Sequence, residues 1–169
     1  MSTALDVARF FLASNPPSSI TDLKLQKLCA YAQAISCAYL DKKLFPEDVE
    51  MWELEPVVRE VYRAYKGYDS DPIPAPPLDL TPFSMEQRLI LAGVNTHYAE
   101  TNDAWELCKK SHDDFPGVRG TNHCLSFEEL KQAAQKSPVL TQLLQADNPL
   151  PARSKKILSP EEVLHALAG

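Results

Sequence analysis

Glycine is scarce in this chain of 169 residues: five, against fourteen prolines. There is no phosphate-cradling glycine loop, no nucleophile elbow and no HExxH pair of metal-binding histidines. Positive charge is also short. Seventeen Lys and Arg face 23 Asp and Glu, a net charge of -6. An acidic chain lacks the electrostatic footprint of a nucleic-acid binder, so direct nucleic-acid binding is not expected. The basic cluster Arg153, Lys155 and Lys156 reads as a solvated loop. No apolar run approaches the roughly 20 residues of a membrane span. The opening MSTALDVARFFLASNPP has no positive leading region and carries Asp6 and Arg9 inside its apolar part, unlike a signal peptide. The expectation is a cytoplasmic protein, with its four cysteines as reduced thiols.

What is present suits a helical domain. Hydrophobic residues make up 44% and charged residues 24%, and the length allows one core without disulfide staples. Prolines punctuate the chain and leave long helical windows between them. Residues 3–13 form a first window, with Ala4, Ala8, Phe11 and Leu12 on one stripe. Thr21 is a natural N-cap for a helix from Asp22 to Leu40. From Leu28 onward that helix is polar only at Gln33 and Ser36, so it should be the buried centre of the fold. Gln33 and Ser36 then require internal partners.

Val49 to Leu54 reads as a short extended segment. Pro56 reads as the first residue of the next helix, with Val57, Val58, Val61, Tyr62 and Tyr65 facing the core. GYDSDPIPAPPLDLTP is an extended loop held by Ile73, Leu78 and Leu80, or a linker. Ser84, Ser126 and Ser159 each open a capping box and a helix. Shorter helices are expected over 102–111 and 138–145, with a loop over 112–124. The fold class is mainly α: a single-domain bundle of about six or seven helices around a buried central one, with one short β element.

Three groups carry candidate chemistry. Cys108, His112, His123 and Cys124 form a two-Cys, two-His set of zinc-ligand type, though in no standard spacing; packed cysteines and loop histidines are the alternative. His112 and Asp113 offer acid–base chemistry, or else simply close a helix end. Cys29 and Cys37 read as core. The third group is aromatic: Trp52, Arg59, Tyr62, Tyr65 and Tyr68 are residue types enriched at interface hot spots.

ITDLKLQKLCAYAQAI followed by LFPEDVEMWELEPVVREVYRAYKGY resembles the Panacea domain, the SocA-like or GepA-like phage-associated family. Leu23, Leu25, Gln26, Lys27, Leu28 and Tyr31 match its first motif. Trp52, Pro56, Val57, Val58, Tyr62 and Lys66 match the second, and SHDDFPG is similar to a later segment. The resemblance covers roughly residues 4 to 135. Glu55 stands where the family has Gly, and Phe115-Pro116 where it has Pro-Trp.

The resemblance implies a non-catalytic helical domain over 1–135; residues 136–169, beyond its reach, read as a C-terminal helical extension packed on or trailing that domain. Such proteins are antitoxins that bind a toxin encoded nearby, or adaptors that hand it to a AAA+ protease. It implies no cofactor and no metal. The expected contacts with a partner protein are Trp52, Glu55, Pro56, Arg59, Tyr62, Tyr68, His112 and Asp113, with Trp52, Glu55, Tyr68 and the 112–116 loop at the interaction edge. One alternative is a phage or effector protein that reuses the domain on a host protein. Another is a hydrolase-type enzyme built on His112 and Asp113.

Overall fold

The computed structural model describes residues 1–53, 55–115 and 122–146. The helix expected after Ser159 and the 153–156 cluster lie outside them. Seven α-helices occur among the described residues: α1 (Ala4–Ala13), α2 (Asp22–Leu40), α3 (Arg59–Tyr65), α4 (Met85–Val94), α5 (Ala104–Asp114), α6 (Phe127–Ala134) and α7 (Pro138–Gln145). Three short strands, β1 (Val49–Met51), β2 (Pro56–Val58) and β3 (His123–Cys124), form an antiparallel sheet in the order β2-β1-β3. The chain is thus mainly helical with a small sheet. Among the described residues no helix is long and apolar enough to cross a membrane.

The centre is α2. Every other described helix packs against it, and so does β2. Its residues from Leu25 to Cys37 are all buried, as expected of a helix that is apolar nearly all round. Gln33 and Ser36 find their partners in the loop that follows. Gln33 Oε1 accepts from the Leu44 and Phe45 amides at 2.7 and 3.2 Å, and its Nε2 donates to Phe45 O at 2.7 Å. Ser36 donates to Lys42 O. Capping boxes start α1, α4, α5 and α6. At the far side Tyr31 stacks on Tyr98 with ring centroids 4.2 Å apart, and its hydroxyl donates to Asp114 at 2.7 Å.

The proline-rich segment runs against the body. Ile73 and Leu80 are buried, and the Ile73 amide donates to Ile20 O. Arg88, itself buried, donates to Leu80 O and Phe83 O.

Several boundaries differ from the sequence expectation. The helix opened by Ser84 reaches Ala99, close to the expected end near Tyr98, but its last turn, Asn95–Ala99, is π-helical. α5 runs on through His112 and Asp113, which the sequence had assigned to a loop. Most consequential, Pro56 does not start a helix. It lies in β2, and α3 begins only at Arg59.

The pairing explains why a proline fits in that strand. Trp52 and Glu55 exchange two backbone bonds, at 2.9 and 3.3 Å, and close the hairpin turn. Hydrogen-bonded and non-bonded pairs alternate in an antiparallel ladder. The next pair, Met51 with Pro56, is therefore non-bonded, so the missing N–H of proline costs nothing there. Two residues on, Val58 is again turned away from β1, and its amide donates to Gln26 Oε1 of α2 at 2.9 Å.

Candidate functional site

The outer edge of β2 faces α2, and the side chains of α2 take the place of a further strand. Gln26 receives the Val58 amide, and Lys27 reaches Pro56 O at 3.5 Å. Lys27 is fully buried, at 0% exposure. Its ammonium sits 2.6 Å from Glu55 Oε2, and the Cys108 thiol of α5 donates to the same oxygen at 3.3 Å. Glu55 is 17% exposed. One carboxylate thus ties together the hairpin turn, the central helix and α5.

Burial sets the protonation of this cluster. Loss of hydration lowers the Lys27 pKa, and the Glu55 charge opposes that shift. Burial raises the Asp22 carboxyl above its ordinary value, against a hydrogen bond from Gln26 and the Lys27 charge. The Cys108 thiol is pushed up to about 11, chiefly by burial, although Lys27 pulls it down. A thiol of that pKa is a poor nucleophile at neutral pH.

Two clefts adjoin this cluster, one lined by Glu55 and the other by Cys108. The first, of about 240 Å³, lies between the start of α2, the hairpin turn and α3. Asp22, Leu23 and Gln26 form one wall; Trp52, Glu55 and Val57 form another; Tyr62, Lys66 and Asp69 close it. Trp52 and Tyr62 meet edge to face, with centroids 5.0 Å apart. The Lys66 ammonium lies 6.0 Å from the Tyr62 ring centroid. The Trp52 Nε1–H is shielded from solvent and has no acceptor among the described residues. The second cleft, of about 310 Å³, runs along α5 beside Trp105, Cys108, Lys109, His112 and Asp113.

The expected contact residues therefore divide. Trp52, Glu55 and Tyr62 come together in the first cleft, and His112 and Asp113 lie in the second. Tyr68 is 39% exposed on a 3-10 turn after α3 and meets Tyr65 at 6.4 Å. Pro56 is buried in β2. Arg59 holds Glu50 of β1 through two bonds of 2.8 and 3.0 Å. Of the aromatic stripe assigned to the core, Tyr65 packs on it but stays partly exposed, while Tyr62 faces the first cleft.

The zinc-type set does not assemble. Among the described residues no three His, Cys, Asp or Glu side chains are placed to share a metal. His123 instead pairs with Glu129 at 2.9 Å, and Cys108 with Glu55. His112 Nδ1 and Asp113 Oδ1 are 3.8 Å apart and well exposed.

Sequence reasoning missed Lys27 as a buried cation and Trp105 as the most exposed aromatic, at 67%. For Lys27 a signal existed: a charged residue between Leu25 and Leu28 on the helix expected to be the buried centre of the fold. Family models, curated proteins and solved structures yield no match to this chain.

Proposed function

We propose that the protein is a non-catalytic binding module that grips another protein through the first cleft and its rim. The observation that carries this reading is the cleft itself. It collects Trp52 and Tyr62, the residue types that dominate interface energies, next to carboxylates at the edge of a rigid bundle. Tyr68, exposed beyond α3, extends the aromatic rim. The net charge of -6 favours encounter with a basic partner. Together with the resemblance in the α2 and hairpin motifs, this supports an antitoxin-type role: direct neutralisation of a toxin encoded nearby, or its delivery to a AAA+ protease.

The test is co-expression with the product of the adjacent reading frame, followed by growth measurement and co-purification. The expected result is a toxic neighbour, relief by this protein, and a stable complex that Trp52→Ala or Tyr68→Ala weakens by tenfold or more. A harmless neighbour that forms no complex sinks the reading.

A further inference from the structure

The first cleft has a composition that selects one kind of group. Its volume of about 240 Å³ is below the roughly 300–1,000 Å³ of drug-sized sites, which suits a single side chain. Three carboxylates line it: Asp22, Glu55 and Asp69. In Glu55 the Oε2 atom is committed to Lys27 and Cys108, and no hydrogen bond within the described chain engages Oε1. In Asp22 the Oδ1 atom accepts from Gln26, and Oδ2 accepts from nothing in the described chain. The cleft thus keeps acceptor capacity on two carboxylates held in place by buried neighbours. The aromatic wall already attracts a cation, since the chain's own Lys66 stands over Tyr62 at 6.0 Å. Leu23, exposed to 37%, provides an apolar strip for an alkyl stem.

We propose that this cleft receives one arginine side chain of the partner polypeptide. Its stem lies along Leu23 and the Trp52 ring, and its guanidinium lies among Glu55, Asp22 and Asp69, with Lys66 displaced from the Tyr62 face. Arginine fits better than lysine. Its planar head offers five donors to acceptors on different walls and stacks on aromatic faces, whereas an ammonium is a compact, strongly hydrated point charge. Lys27 completes the arrangement from behind: buried on the far side of Glu55, it pins the carboxylate so that only one oxygen is offered outward. The inference rests on the protein-binding reading and names the chemistry of the contact.

The test uses the full chain carrying Trp105→Phe, which leaves Trp52 as its sole tryptophan. Its emission is followed during titration with N-acetyl-Gly-Arg-Gly-amide and with the citrulline analogue, a neutral isostere. The expected result is a saturable change with the arginine peptide, at a Kd on the order of 1 mM for one side chain, and at least tenfold weaker binding of citrulline. Asp69→Asn, an isosteric change on an exposed residue that removes only the charge, should weaken the arginine peptide about threefold or more and leave citrulline unchanged. Equal responses to the two peptides, or no effect of Asp69→Asn, overturn the proposal. A co-purifying partner whose capture falls with Trp52→Ala but not with Asp69→Asn also overturns it, and leaves the binding module standing. Absence of any partner complex is a failure of that broader reading, and the peptide titration still decides what the cleft accepts.

Discussion

The two faces of the β1–β2 hairpin carry the same chemistry at different depths. On the inner face Lys27, fully buried, pairs with Glu55; on the outer face Arg59, with its side chain 42% exposed, pairs with Glu50. The outer pair has the better geometry, two parallel bonds from a guanidinium. The inner pair nevertheless matters more, because the Lys27 ammonium is fully buried and water cannot take the place of its carboxylate. A buried ammonium that loses its carboxylate keeps the whole cost of its desolvation. A half-exposed guanidinium that loses its carboxylate is hydrated. Depth, and not bond count, decides which pair the fold depends on.

The largest effect should come from breaking the inner pair on one side. Glu55→Ala strands the Lys27 charge and is expected to cost about 3–5 kcal/mol, read as a loss of unfolding free energy in urea. Lys27→Met combined with Glu55→Leu removes both charges and should recover most of that loss. A double variant as unstable as Glu55→Ala would show that packing, and not the stranded charge, sets the cost.

A neutral version of the same device operates further along α2. Gln33 serves three backbone groups of the 44–45 loop, and Gln33→Leu leaves them without partners, at an expected cost of about 2–4 kcal/mol. A loss well below 1 kcal/mol would mean that water enters and replaces the amide.

A smaller effect tests depth through pH. Burial raises the Asp22 carboxyl above 3.8, so the folded protein holds that proton more tightly than the unfolded chain. Its stabilising contribution is fully present below the unfolded value and fades as pH rises through the folded one. Asp22→Asn, neutral throughout, should gain stability relative to the parent between about pH 4 and pH 7. A constant difference across that range would contradict the sign. The smallest effect belongs to the outer pair: Arg59→Ala leaves Glu50, with its side chain 8% exposed, without its partner, but removing the half-exposed arginine opens that carboxylate to water, so the urea midpoint should fall by less than for Glu55→Ala, and by less still in high salt.

Much of the scaffold was legible beforehand because its signals are local. The Thr21 cap and the apolar stretch from Leu28 delimit α2, and the 84–87 and 126–129 capping boxes locate α4 and α6. The hairpin was harder. Pro56-Val57-Val58 is as good a helix start as a strand, and only the alternation of its pairing with β1 shows why proline is tolerated there. Trp52 and Tyr62 stood out by residue type, but their meeting at 5.0 Å depends on the hairpin turn and α3 folding back on each other. Asp22, Lys66 and Asp69 gave no local sign that they share a cleft with them.

The sequence by itself determined where α1, α2, α4 and α6 begin, which helix is central, and the scarcity of glycine and positive charge. Capping, periodicity and composition act over a few residues and need no distant partner. Tertiary structure alone decided that Lys27, Glu55 and Cys108, spread across three elements, converge on a single oxygen. The reason is that the energy of a charge depends on how much water remains around it, and only the packed chain removes that water.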